Sequence, residues 1–121
     1  MDIRPLLRDS LRHENGLDAQ RLLPWPALNA PFEGSWCVIA PGTASTRHAH
    51  HEHEIFIALR GSAVLESDGE RAPFTAGDIV RFDPHTEHRV INEGDAAFEM
   101  YSIWWDSDMA ATFLRRHESE G

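Results

Sequence analysis

The sequence predicts an all-β fold, a small barrel or sandwich, from three observations. Between Ser35 and Trp105 short apolar runs are broken by turn residues at close spacing. Asp68-Gly69 lies between two strand-like pieces and is a strong hairpin signal. Gly42, Gly61, Gly77 and Gly94 mark further corners. Strands are expected near 36–39, 54–59, 63–67, 78–82, 88–91 and 97–104. Many short antiparallel strands so spaced close on themselves or pack in two sheets.

The flanks read differently. Pro5 suits the first turn of a short helix, with Leu6, Leu7 and Leu11 on one side and Gly16 near its end. A second short turn is expected over 18–23. Pro24, Pro26 and Pro31 then impose an extended connection. After the last strand, Asp106 or Ser107 reads as a helix cap. Met109, Phe113 and Leu114 would share one face of that helix, and Arg115, Arg116 and His117 its last turn. The expected organisation is one domain: a helical and extended arm over 1–34 packing on a barrel over 35–105, then a C-terminal helix and tail over 106–121. A whole small protein and a domain cut from a longer one both fit this ending.

Composition narrows the function. At 121 residues the chain is long enough for one core without staples. Asp and Glu number 20 against 11 basic residues, a formal charge of −9, which argues against nucleic acid and anionic membranes as partners. Every basic residue is Arg, so Schiff-base chemistry and a phosphate-loop lysine are excluded within this chain. Cys37 is the lone cysteine, which excludes an intrachain disulfide and a thiolate metal cage. The opening Met1-Asp2-Ile3-Arg4-Pro5 lacks a signal-peptide pattern, and no run reaches a membrane span, so a cytoplasmic location is expected.

Histidine carries the first functional signal. Six of the eight, His48, His50, His51, His53, His85 and His88, fall in one middle segment. On a strand His48 and His50 point to the same face, and Glu54, four residues on, keeps that parity. His88 opens a later strand that can lie across the interior. Three imidazoles and a carboxylate converging on a point make a site for one divalent first-row metal. His51 and His53 have the opposite parity unless a bulge intervenes. His85 reads as a rim residue, and His13 and His117 as solvated.

Other residues are candidates for shaping a pocket. Phe56 and Ala58 continue the parity of Glu54, and Val90 that of His88. Trp36, Tyr101 and Trp104 are large and flank the centre; core packing is their alternative role. Arg47, Arg60 and Arg81 can bind a carboxylate bidentately, or be solvated. Glu99 is either a surface-face residue or a buried acid near the pocket. Cys37 reads as a small core residue, with no basic neighbour in sequence to lower its pKa.

The spacing resembles a known family. Gly42, His48-Ala49-His50, Glu54 and Gly61 match the first cupin motif without a departure. Gly77-Asp78, His88 and Asn92 resemble the second. There, however, Pro84 is displaced by one position and the expected turn glycine is absent from Asp83-Pro84-His85-Thr86-Glu87. The resemblance covers residues 42–92. It implies a double-sheet jelly-roll barrel with one metal held inside by His48, His50, Glu54 and His88. Zinc, iron, manganese, nickel and copper all suit such ligands. Many cupins pair barrels, so a homodimer is implied, with the proline-rich arm as a covering or exchanged strand.

A narrower resemblance lies in residues 54–59, 62–66 and 99–106, which are similar to the zinc-binding cupin part of bacterial hydrazine synthetases. There the cupin is joined to a methionyl-tRNA-synthetase-like domain. It rearranges an aminoacyl ester of N-hydroxylysine to form a nitrogen–nitrogen bond. That resemblance implies zinc as the metal, an amino-acid-derived small-molecule substrate and a synthetase-like partner domain. Glu54, Glu99 and Tyr101 are then the catalytic candidates, and Trp36, Arg47, Phe56 and Arg81 the substrate-binding ones. The alternatives are an iron-dependent dioxygenase of a small metabolite and a non-catalytic sensor or structural cupin. A metal-free epimerase type does not require this full ligand set.

Overall fold

In the computed structural model residues 1–108, 110, 111 and 115 are described. Their strands are β1 (Arg12–Glu14), β2 (Leu17–Arg21), β3 (Phe32–Ile39), β4 (His53–Arg60), β5 (Ser62–Ser67), β6 (Glu70–Thr75), β7 (Ile79–Phe82), β8 (His88–Ile91) and β9 (Phe98–Trp105). They form a six-stranded sheet in the order β1-β2-β3-β9-β4-β7 and a three-stranded sheet in the order β6-β5-β8. All the pairings are antiparallel. This is the expected all-β jelly roll.

Alternation along the strands builds the interior. Phe56 and Ala58 on β4, Cys37 and Ile39 on β3, and Met100 on β9 are buried from the large sheet. Ala63, Leu65, Phe74 and Val90 face them from the small sheet. Phe74 and Phe98 close one end, their ring centroids 5.7 Å apart. The opposite end is left for polar side chains, and Glu54 and His88 are buried there.

The N-terminal flank departs from expectation. In place of a helix running to Gly16 there is a single 3-10 turn, Arg8–Ser10, followed by the β1–β2 hairpin. The expected turn over 18–23 is β2, paired with β3. The cause is local. Asn15 and Gly16 both take positive φ, +54° and +79°, as a type I′ hairpin turn requires. A Cβ at Gly16 would lie 2.7 Å from the Ala44 carbonyl, so the turn sits tight against the loop after β3. The Thr46 amide donates to the Asn15 carbonyl across that contact at 2.7 Å. The proline-rich connection follows, with one 3-10 turn at Pro26–Leu28.

β6 is the far arm of the hairpin that Asp68-Gly69 signals, although its own bounds are not among the expected strands. Its burial pattern exposes every residue but Phe74, and it carries Pro73 on the sheet edge, where a missing N–H is tolerated. At the C-terminus Asp106 caps a helical turn: its Oδ1 accepts from the Asp108 amide at 2.9 Å. Of the expected helix, Met109, Phe113, Leu114, Arg116 and His117 lie outside the described residues. Among the described residues no helix is long and apolar enough to cross a membrane.

Asn92 joins the two sheets. Its Nδ2 donates to the Ile39 and Ala96 carbonyls, each at 2.9 Å, and its Oδ1 accepts from the Gly94 amide at 3.0 Å. Asn92→Ala leaves those groups unpaired in a site only 1% exposed. We expect a loss of about 2–4 kcal/mol in urea unfolding; a loss below about 1 kcal/mol would contradict the role assigned to this side chain.

Candidate metal centre

His48, His50, Glu54 and His88 come together, with one ligand atom from each lying within 4.8 Å of the others. Glu54 sits on β4 opposite Trp104 of β9, side chain inward. His88 opens β8. His48 and His50 lie on the loop before β4 rather than on a strand, but an isolated bridge pairs His48 with His88 and holds that loop extended. The rings of His48 and His50 stack at 5.4 Å.

The absent turn glycine is replaced by His85, whose φ is +65°, in the left-handed region that glycine usually fills. Its amide donates to the His50 carbonyl at 2.6 Å, so the second motif's turn buttresses the first motif's loop.

The three imidazoles are oriented alike. Nδ1 of His48, His50 and His88 each faces a backbone carbonyl, of Thr46 at 3.0 Å, Glu52 at 3.1 Å and Thr86 at 2.8 Å. An acceptor there fixes the proton on Nδ1 and turns Nε2 inward as the ligand atom. The Nε2 atoms of His88, His50 and His48 then stand 2.7, 3.1 and 3.9 Å from Glu54 Oε1. With Nδ1 protonated, each Nε2 in a neutral ring presents a lone pair to a carboxylate lone pair. The contact is attractive only if the rings carry second protons or a cation lies among them. Several imidazolium rings with centroids 4.7–5.7 Å apart would repel one another. A divalent cation supplies the same charge from one point, and the donor set of three imidazoles and a carboxylate fits it.

The surroundings hold these ligands in place. Phe82 stacks on His88, with centroids 4.1 Å apart and planes 7° apart. Phe56 packs edge-on against His88 at 5.6 Å. Ser102 Oγ donates to Glu54 Oε2 at 2.7 Å. Burial works against ionising Glu54, but with no cation present a His88 ring carrying a second proton donates to it, and this with the Ser102 hydrogen bond outweighs burial and holds the carboxyl below its ordinary range. Phe82 and Ser102 were not singled out from the sequence. Ser102 had one usable signal, a lone hydroxyl in phase with inward Met100 and Trp104.

A cavity of about 320 Å³ opens onto the cluster. Leu17 and Ala19 of β2, Cys37 and Trp104 wall it, with Glu14 and Arg21 on its lining. Burial pushes the Cys37 thiol up to about 12, so it is neutral at physiological pH.

Several residues named from the sequence are not brought to this cavity. Glu99 and Tyr101 stand out of phase with Ser102 on β9. Glu99 is buried beneath Arg8, whose Nη1 approaches to 2.5 Å, and Arg60 lies 3.7 Å off. Tyr101 meets Trp36 edge-to-face at 5.3 Å on the sheet's outer side, under the N-terminal segment. Burial raises the Tyr101 pKa. Arg47, itself exposed, pairs with half-buried Glu66 at 2.6 Å, and Arg81 pairs with Asp83 among exposed residues. His53 stacks on Trp105 and bonds to Ser107, and His51 lies 3.6 Å from Asp106. His51 and His53 therefore contact the C-terminal cap rather than the cluster.

Comparison with known proteins agrees with this geometry. A family model described as "Cupin domain" matches residues 35–104. A Cupin 2 conserved barrel domain protein from Salinispora arenicola is 57% identical over 97% of this chain and 98% of its own, with a TM-score of 0.87. The plu4264 protein from Photorhabdus luminescens is 44% identical over 98% of this chain and 99% of its own, with a TM-score of 0.86. A predicted oxalate decarboxylase from Thermotoga maritima is 25% identical over 74% of this chain and 79% of its own, with a TM-score of 0.67.

Two outcomes follow. Ser102→Ala should weaken zinc binding about 10- to 100-fold in chelator competition while leaving the stoichiometry unchanged, because it frees Glu54 Oε2. In metal-free protein, the stabilisation from the depressed Glu54 carboxyl is complete above its ordinary value of 4.5 and lost as the pH falls through the lower folded value. Urea midpoints measured downward from pH 6 should therefore fall, and Glu54→Gln should flatten that slope.

Proposed function

The chain belongs to the cupin family, and from that premise we propose that it is a divalent-metal cupin enzyme acting on a small metabolite. The observation that carries this reading is the inward convergence of three Nε2 atoms on Glu54 beside an open cavity. A purely structural metal needs no cavity. The volume is at the low end for ligand pockets, about 300–1,000 Å³, and suits a metabolite rather than a polymer.

His48, His50, Glu54 and His88 would hold the ion. Four protein ligands leave one or two positions open in five- or six-coordination, and a divalent ion there supplies Lewis acidity toward a bound oxygen or nitrogen. The chain's own part is positional. The backbone carbonyls of Thr46, Glu52 and Thr86 lock the imidazoles, Ser102 holds Glu54, and Leu17, Ala19 and Trp104 exclude water from one wall. The neutral Cys37 thiol adds a polarisable, uncharged surface.

Within this function, the reaction with support in the sequence is redox-neutral: rearrangement of an aminoacyl ester of N-hydroxylysine with zinc as the metal. Its support is the likeness of residues 54–59, 62–66 and 99–106 to the hydrazine-synthetase cupins. In this fold the work would fall to Glu54 and the metal. Phe56 backs His88. Glu99 and Tyr101 would serve that reaction only by holding the N-terminal segment on the outer face. The Thermotoga protein's description, a predicted oxalate decarboxylase, favours a second reading in which the substrate is a small carboxylate.

Inductively coupled plasma mass spectrometry of protein purified without added metal tests the proposal. We expect about one zinc per chain, with turnover of the N-hydroxylysine ester. One iron per chain with oxygen uptake moves the activity to a dioxygenase. Less than about a tenth of an equivalent of any divalent metal, with none taken up on addition, overturns it.

A further inference from the structure

Arg21 lies on the cavity wall furthest from Glu54 in the sheet order. Leu17 and Ala19 are buried along β2, and Arg21, in phase with them but exposed at the strand's end, lines the same cavity beside His48 and His50. β2 is separated from β4 by β3 and β9. Three ladder spacings put the Arg21 and Glu54 strands about 14 Å apart, and both residues line the cavity, Arg21 at its rim where it also borders the outer groove by Trp36 and Tyr101.

The guanidinium is fixed in orientation. Nε donates to Glu14 Oε1 at 2.9 Å and Nη2 to Glu14 Oε2 at 3.4 Å. Its plane lies over Trp104, 5.6 Å from the ring centroid. Trp104 is the β9 residue opposite Glu54. Glu14 therefore occupies one edge of the guanidinium. Nη1 makes no hydrogen bond among the described residues, so the edge formed by Nη1 and the second Nη2 proton is open. A planar fork with one edge braced and the other open is suited to a carboxylate. The carboxylates lining the cavity, Glu54 and Glu14, are already engaged, and Glu33, which also acts on Arg21 electrostatically, accepts from the Leu23 and Gly34 amides, which leaves the ligand to supply the partner for the open edge.

We propose that Arg21 is a specificity-determining residue of the metal pocket, binding a carboxylate at the end of the ligand remote from the ion, with Glu14 as its positioning residue. The ligand class is a short metabolite with a metal-binding group at one end and a carboxylate at the other. This inference rests on the metal-dependent reading above.

Zinc-loaded protein titrated calorimetrically with acetate, malonate, succinate and glutarate tests it, with zinc content measured on the same samples. Acetate reaches only one end of the pocket, and the dicarboxylates can span it. We expect at least one dicarboxylate to bind more tightly than acetate. Arg21→Met should weaken that dicarboxylate at least about tenfold, as expected for loss of a charge-assisted pair. Acetate binding and the zinc content should stay unchanged. Arg21→Lys, which keeps the charge and loses the fork, should fall between. If Arg21→Met holds one zinc and binds the dicarboxylate like wild type, or if no dicarboxylate exceeds acetate, the inference is overturned and the metal reading survives. Wild type that takes up neither zinc nor any other divalent metal overturns both.

Discussion

A carboxylate buried in a protein interior must find compensating charge and donors, and this barrel is organised around one that does. Glu54 is 4% exposed. Ser102 meets one of its oxygens from a neighbouring strand, and three imidazoles meet the other from a loop and the opposite sheet. Leaving any of these positions empty costs several kcal/mol for a buried charge. The two sheets therefore cannot slide past one another at this end without breaking the cluster. At the other end Phe74, Phe98 and Ile39 are close-packed. The fold is apolar at one end and polar at the other, and the polar end is where chemistry can be placed.

Orientation of the imidazoles is a backbone property. Each Nδ1 finds a carbonyl within two residues of its own histidine, so ring direction follows from loop conformation rather than from distant side chains. That places demands on the loops. The His85 amide ties the turn before His88 to His50, and the Asn15 carbonyl ties the N-terminal hairpin to Thr46 just before His48. The hairpin is thus a wall of the cavity and a brace for the metal loop at once.

What could be read in the sequence was what is local and periodic. His48, His50 and Glu54 share a parity that survives although the first two lie on a loop, because the bridge to His88 keeps that loop extended. The N-terminal hairpin departs from the helix its sequence suggests for a physical reason. Leu6, Leu7 and Leu11 fit helical spacing after Pro5, while Asn15-Gly16 is a hairpin turn, and the turn won because β2 gains a paired neighbour and two buried positions. β6 is signalled only by its turn, because an edge strand with one inward residue has little apolar pattern to show. Phe82, Ser102 and Arg21 matter through contacts across the sheets, which no spacing rule along the chain encodes. His85 shows the reverse case: the missing glycine did not remove the turn, since histidine is among the residues that tolerate positive φ.

The charge of the molecule sets what reaches this pocket. A chain of formal charge −9 repels long polyanions at every approach. The same repulsion is screened within about 8 Å at physiological salt, so a small anion feels chiefly the groups nearest to it. Inside the cavity those groups are Glu54 with its imidazoles, a guanidinium already paired with Glu14, and neutral Cys37, Leu17 and Ala19. A divalent ion held by that set, less one carboxylate, would leave one positive charge at the inner end, and the arginine pair adds none. A singly charged anion at the ion is then balanced, and a second carboxylate gains only through the directed hydrogen bonds of the open guanidinium edge. The surface selects against size and charge density, and the interior selects by geometry.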